Sequence, residues 1–429
     1  MNQIARDWKI RINRQSPLRM VERLIHIGML LLFMGAFYHI WNSISGEFIN
    51  PLEGDPFQRS VKLLGYFLAF LFVLRKSKQL LGVVVQPSYI WILIALVLLS
   101  SVWSDFPLFS LRRSLMMILT TLYGLALFVR FPFDEGVELF GRALWIALVL
   151  SMILIVLLPQ LSEMEYQGQI VWRGAFTHKN HLGNYSLLSL LIFVFLWYSK
   201  KEIIAKLFWG SGIALAVVLI IGSKSTTAFV LSILLVFGSI LMVLMKYVRR
   251  DWQIAFPVIG VIVLTGILIG VTNFEKIIKI FGKEITLTGR LPLWEKLLVV
   301  GREHLWLGYG FNAFWLGWQG PSAEVWADIT WLPAHAHNGF LDTWLELGLV
   351  GLFFTILFLI WLFVKSYSLY FRSSKNGLFL ILLMVFFVFL NLIESFLLRQ
   401  DSFYWVLLVY ISIYLSNTHL RKGQSQCNA

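Results

Sequence analysis

Residues Pro333 to Gly351 read P-A-H-A-H-N-G-F-L-D-T-W-L-E-L-G-L-V-G, and the apolar run that they open continues to residue 364. His335, His337 and Asn338 stand at its mouth, and Asp342 and Glu346 follow one helical turn apart inside it. Ionisable groups on so apolar a segment are costly beside lipid. They usually face a bundle interior or a wet cavity, and they mark function more often than structure.

The rest of the 429-residue chain supplies the setting. It is 58% hydrophobic and only 14% charged, where soluble domains hold about 25% charged residues. Apolar runs of about membrane-spanning length fall at 24–41, 61–75, 88–103, 108–129, 141–158, 180–198, 203–221, 226–247, 253–272, 339–364, 377–397 and 403–417. The chain therefore reads as an all-α polytopic membrane protein with about 12 transmembrane helices, a single integral membrane domain over 1–429. The net charge of +13 is explained by topology and calls for no nucleic acid. With the N-terminus inside, the twelve runs put 22 of the 36 Lys and Arg on inner surfaces and 14 on outer ones, while the acids divide 7 and 16. That is the positive-inside bias, and dropping one span from the first half would invert the later loops and destroy it. Residues 1–23 and 418–429 become cytoplasmic tails. The basic N-terminus has no A-x-A-like cleavage site after the first apolar run and reads as retained. One cysteine, Cys427, excludes internal disulfides, Cys-rich zinc sites and a Cys nucleophile within the membrane.

In this topology the outer segments are 42–60, 104–107, 159–179, 222–225, 273–338 and 398–402. The largest, 273–338, lies between the ninth and tenth spans and is expected to be a helical extracytoplasmic loop, since L-P-L-W-E-K-L-L-V-V-G repeats near helical spacing. Seven Trp and Tyr residues lie between Trp294 and Trp331. Two readings are open for them: an aromatic belt at the membrane surface, or a platform on which sugars stack.

Four polar clusters fall on the outer side: Arg173 to His181, Ser223 to Thr227, Thr288 to Trp294, and His337-Asn338. Each has a plain structural reading. Arg173 and Lys179 suit lipid headgroups, Lys224 suits snorkelling, and Arg290 and His337 suit helix capping. Taken together, cations with hydroxyl donors suit a phosphate or pyrophosphate, and an imidazole suits proton transfer from a hydroxyl. Asp342 and Glu346 either orient His337 or bind glycan hydroxyls, or they hydrogen-bond within the bundle. The chain has no Asp-x-Asp, Walker or Gly-rich dinucleotide motif, and Gly308 to Phe311 is too short to be one. His335 and His337 are two apart, a spacing that a helix would splay. The expected chemistry uses no metal, cofactor or ATP.

At these residues the chain resembles the O-antigen ligase and polymerase superfamily of bacterial envelope glycosyltransferases. The ligase signature, His-Asn followed after nine residues by Gly and a small residue three further on, reads His337-Asn338…Gly348-Leu-Val-Gly351. Arg173-Gly-Ala-Phe-Thr-His-Lys-Asn180 and Thr288-Gly-Arg-Leu-Pro-Leu-Trp294 resemble the exopolysaccharide-polymerase branch more than the lipopolysaccharide ligases. The resemblance implies a donor glycan on undecaprenyl pyrophosphate and an inverting, metal-independent transfer at the periplasmic face of the bacterial inner membrane. Carried over by position, Arg290 holds the donor pyrophosphate and His337 activates the acceptor hydroxyl. Lys224 stands where many ligases have a second arginine, which keeps the charge and loses the bidentate fork. Arg173, Lys179 and Asn338 are further candidates for donor or glycan contact. The implied partners are the lipid-linked oligosaccharide, the growing polysaccharide, membrane lipids, and chain-length regulator and flippase proteins. The rival readings are a ligase that passes glycan to lipid A core or to protein, and a transporter or flippase. No inverted repeat of broken spans supports the transporter.

Overall fold

The computed structural model describes residues 17–36, 38, 40–41, 56–74, 88–247, 290–329, 331–371 and 373–417. Eleven of the twelve apolar runs coincide with helices there. These are α1 (Pro17–Phe33), α2 (Pro56–Leu74), α3 (Ser88–Trp103), α4 (Pro107–Arg130), α5 (Phe133–Leu157), α6 (Lys179–Ser199), α7 (Ile203–Ser223), α8 (Thr226–Tyr247), α11 (Gly339–Tyr370), α12 (Ser374–Ile393) and α13 (Phe403–Asn417). The large loop contributes α9 (Arg290–Gly301) and α10 (Ser322–Asp328), which agrees with its helical spacing. Among the described residues, six helices are long and apolar enough to cross a membrane: α4, α5, α6, α7, α11 and most of α12. The run at 253–272, loop residues 273–289, residues 1–16 of the N-terminal tail and the C-terminal tail 418–429 lie outside the described residues, while residues 17–23 of the expected N-terminal tail already belong to α1.

Proline sets several of the boundaries. Pro107 stands in the first turn of α4, where its missing N–H costs nothing and its fixed φ suits the helix. Among the described residues, a β-hairpin departs from the all-α expectation. Glu163–Tyr166 (β1) and Gln169–Trp172 (β2) form an antiparallel hairpin with Tyr166 opposite Gln169. Gln167 and Gly168 both take positive φ, 52° and 72°, as a two-residue hairpin turn requires.

The core is built around α13. Phe403 to Ile413 are all buried, so this helix is enclosed by protein on every side, as an all-round apolar helix should be. It packs against α4. Tyr185 of α6 stacks on Tyr404 with ring centroids 4.9 Å apart, and the Tyr410 hydroxyl donates to the Phe131 carbonyl at 2.9 Å. A second apolar cluster, including Leu293, Leu297, Val300, Tyr309, Phe314 and Trp344, seats the large loop on the start of α11.

That start is not a continuous helix. Gly348 has φ 66° and ψ −169°, which breaks α11 after its ninth residue. A break strands two donors and two acceptors, and backbone groups away from water must be satisfied. Residues 305–310 supply the missing partners. Leu349 and Val350 donate to the carbonyls of Leu305 and Trp306 at 2.9 and 3.2 Å. Tyr309 and Gly310 donate to the carbonyls of Leu345 and Glu346 at 2.9 and 3.0 Å. The approach is close enough that a Cβ on Gly348 would stand 2.1 Å from the Trp306 carbonyl. Gly348→Ala should therefore cost more than about 1 kcal/mol, read as a lowered unfolding temperature of the purified protein. Gly28→Ala, at a position with open space around it, should leave that temperature nearly unchanged.

Candidate active site

The sequence places Arg290 and His337 on opposite sides of the loop's second half, 47 residues apart, and the fold brings them together. Arg290 opens α9 and is buried. His337 precedes α11 in the left-handed region, φ 51°, a costly conformation for a non-glycine that persists where the surroundings hold it. Arg290 Nη2 lies 3.4 Å from His337 Nδ1. Both meet a third side chain that the sequence reading did not single out, Glu394, at the C-terminal end of α12. Arg290 Nη2 donates to Glu394 Oε1 at 3.2 Å, and His337 Nδ1 lies 3.3 Å from Oε2. Asn180, in the first turn of α6, donates its side-chain N–H to Oε1 at 3.0 Å. Burial alone would raise the Glu394 carboxyl. The His337 hydrogen bond and the Arg290 charge outweigh it and hold the group well below the usual carboxylate range.

The loop ahead of α11 is pinned from both sides. The Ala336 N–H donates to Asp342 Oδ1 at 3.0 Å, and the Ala336 carbonyl accepts from Trp294 Nε1 at 2.8 Å. Asp342 also accepts from Trp315 Nε1 at 2.7 Å and pairs with Arg399 at 2.8 Å. Glu346 lies 3.7 Å from the same guanidinium. Both acids thus serve the bundle, and Asp342 acts on His337 through the backbone that precedes it. Asn338 is the N-cap of α11: its side-chain oxygen accepts from the N–H groups of Phe340 and Leu341 at 3.0 and 3.1 Å. Its own N–H donates to Ser395 Oγ at 3.1 Å, and Gly339 donates to the Glu394 carbonyl at 3.0 Å. These bonds lock the start of α11 onto the end of α12.

His335 and His337 are not splayed along a helix. They lie in the turn ahead of it with ring centroids 4.1 Å apart, and His335 Nδ1 accepts the His337 N–H at 3.2 Å. Burial, and next the His337 charge, push His335 well below the usual histidine range. His335, His337 and Glu394 bring one ligand atom each to within 4.8 Å of one another, a spacing that an ion can use. Arg290 already supplies positive charge at that point, so the constellation favours an anion beside a base.

The other expected residues form a separate group around the β-hairpin. Lys179 is buried, donates to the Lys224 carbonyl at 3.1 Å and lies 4.2 Å from the centre of the Tyr166 ring. Lys224 caps α7 in the left-handed region, φ 47°. Its ammonium lies 3.4 Å from the Ile170 carbonyl and 3.5 Å from Gln169 Oε1. Arg173 Nε donates to the Leu161 carbonyl at 3.3 Å. The two groups meet through Asn180, whose side-chain oxygen accepts from Ser225 Oγ at 3.3 Å. Thr288 and Gly289 lie outside the described residues. Glu394 escaped notice because no motif surrounds it. The available signal was a lone acid at the outer boundary of an apolar run.

Comparison with known proteins gives this geometry a context. Residues 211–356 match the family model described as O-antigen ligase. That span holds Lys224, Arg290, His337 and Asn338, while Arg173, Lys179 and Glu394 lie outside it. The chain is also 26% identical over 331 residues to the exopolysaccharide production protein ExoQ of Rhizobium meliloti (strain 1021), which covers 72% of this chain and 74% of that protein. At the family level the chain is similar to membrane polysaccharide ligases and polymerases.

Acid should loosen this region as its buried neutral histidines take up protons. A histidine held neutral in the fold, with its folded value below the unfolded 6.5, contributes stability that is fully present above pH 6.5 and is lost as pH falls below it. His335 and His178, pushed down by burial to about 4, both act in this window. Each contributes at most about 1.4 kcal/mol per pH unit. Thermal unfolding measured from pH 7 to pH 5 should show a falling midpoint, and His335→Asn should flatten that slope.

Proposed function

We propose that this O-antigen-ligase-like membrane protein polymerises oligosaccharide repeats carried on undecaprenyl pyrophosphate into an exopolysaccharide or O-antigen-like polymer. The observation that carries the reading is the meeting of Arg290 and His337 at 3.4 Å. A guanidinium suited to an anionic leaving group thus lies beside an imidazole suited to a hydroxyl proton.

The chemistry follows from the groups. The acceptor hydroxyl is a poor nucleophile, and His337 takes its proton through Nε2, since Nδ1 is turned toward Arg290 and Glu394. The acceptor oxygen attacks the anomeric carbon, a new glycosidic bond forms, and the bond from that carbon to the pyrophosphate oxygen breaks with inversion. Undecaprenyl pyrophosphate leaves with the bonding electrons, and Arg290 stabilises the charge that it gains. No metal enters these steps. Attack comes from the periplasmic face of the inner membrane, a reading that the charge bias of the loops supports. Lys224, Lys179 and Arg173 extend the positive field along the hairpin side and guide the anionic donor; Asn338 holds the His337 turn as the cap of α11 and borders the bound glycan. The arginine-containing cluster at 173–180 favours polymerase over ligase, as does the likeness to a protein of exopolysaccharide production.

The test is the size of lipid-linked glycans in a strain lacking the protein. Single repeat units should accumulate on the carrier, facing outward. Full-length chains stranded on the carrier would make the protein a ligase, and units trapped on the cytoplasmic face would make it a transporter. In the purified enzyme His337→Ala should lower kcat by about 10²–10⁴-fold with donor affinity retained, whereas Arg290→Ala should lower donor affinity as well.

A further inference from the structure

Glu394 is a buried carboxylate on which the donor side and the acceptor side of the site converge. Its three side-chain partners come from elements 57, 104 and 214 residues away in sequence. We propose that Glu394 is the positioning residue of the proton acceptor and also the resident anion of the pyrophosphate site, so that donor binding and activation of His337 are linked. This inference rests on the reading of His337 as base and Arg290 as pyrophosphate ligand.

A carboxylate 3.3 Å from Nδ1 fixes the proton of the neutral ring on that nitrogen and leaves the lone pair on Nε2, the tautomer that a base requires. It also faces the imidazolium formed when the acceptor proton arrives. The orientation is rigid because Asn180 holds the other oxygen. Glu394 is itself fixed at both ends of its backbone, its N–H donating to Leu390 at 2.8 Å and its carbonyl accepting from Gly339 at 3.0 Å. In the free enzyme Oε1 is shared with Arg290, whose guanidinium opposes an imidazolium 3.4 Å away. A pyrophosphate recruits that guanidinium by a charge-assisted fork. The hold of Arg290 on Glu394 then weakens, and the carboxylate, still held by Asn180, acts on His337. By linkage the effect is reciprocal: Glu394 competes with the donor for Arg290 as much as the donor releases Glu394. His178, His181 and Lys179 on the α6 side, His335 with the Asp342–Arg399 pair behind it, and Tyr404 of α13 complete the charged and titratable surroundings.

The decisive experiment uses the full chain in lipid nanodiscs, with undecaprenyl pyrophosphate as the binding probe and lipid-linked repeats from the deletion strain as substrate. Glu394→Gln should lower kcat at least about 10²-fold, the scale of a mispositioned base, while the Kd for undecaprenyl pyrophosphate stays equal or tightens. Glu394→Asp should recover part of kcat. Asn180→Ala, which leaves the carboxylate charged and loosens it, should lower kcat with the same Kd. A parallel loss of kcat and affinity in Glu394→Gln and Asn180→Ala would reduce Glu394 to a structural role and overturn the proposal, as would wild-type kcat in Glu394→Gln. His337→Ala separates the two levels. Full turnover in that variant removes the base reading and this inference with it, whereas loss of turnover there beside an active Glu394→Gln removes this inference alone.

Discussion

The geometry of the site depends on one buried negative charge. An ionised carboxylate with 3% of its residue exposed is tolerated only when partners repay its desolvation, and at Glu394 those partners are Arg290, His337 and Asn180. Each belongs to a different part of the chain: the start of α9, the turn before α11 and the start of α6. The charge therefore acts as a common anchor for three segments that are distant in sequence. A second anchor of opposite sign lies behind it. Arg399 faces Asp342 at 2.8 Å and Glu346 at 3.7 Å, and Asp342 in turn grips the backbone of Ala336. The turn that carries His337 is thus held from the front by Glu394 and from behind by Asp342.

This arrangement separates two kinds of cation that look alike in sequence. Arg290 lies in the carboxylate cluster, where its planar fork leaves donors for a second anion. Lys179 and Lys224 are drawn to the hairpin by carbonyls and the Tyr166 ring. An ammonium is a point charge that such neutral partners satisfy well. The physical difference between the side chains matches the difference in place.

How far the fold was legible follows from the same physics. Apolar runs report helices directly, so eleven of the twelve runs coincide with helices. Their boundaries are looser: α1 begins at Pro17, seven residues before its apolar run, because polar residues can extend a helix beyond lipid. The hairpin at 163–172 was missed, although Gln167-Gly168 between alternating residues carried its signal. Arg290 and His337, which the fold brings within 3.4 Å of each other, stand out in the sequence because short motifs surround them. Glu394 does not, because its role exists only where α6, α9 and α11 converge on α12, and no local pattern encodes such a meeting. The reading of His335 and His337 as splayed assumed a helix at 335–337, where the left-handed turn at His337 instead folds the rings together.

The break at Gly348 also changes how long α11 is as a membrane element. The 22 residues from 349 to 370 rise about 33 Å at 1.5 Å each, already enough for a hydrocarbon core of about 30 Å. The nine residues before the break are surplus to the crossing. Asp342 and Glu346 therefore need no place at lipid depth: they ride on a short helical plinth, stitched to residues 305–310, that carries the His337 turn beyond the length the crossing uses.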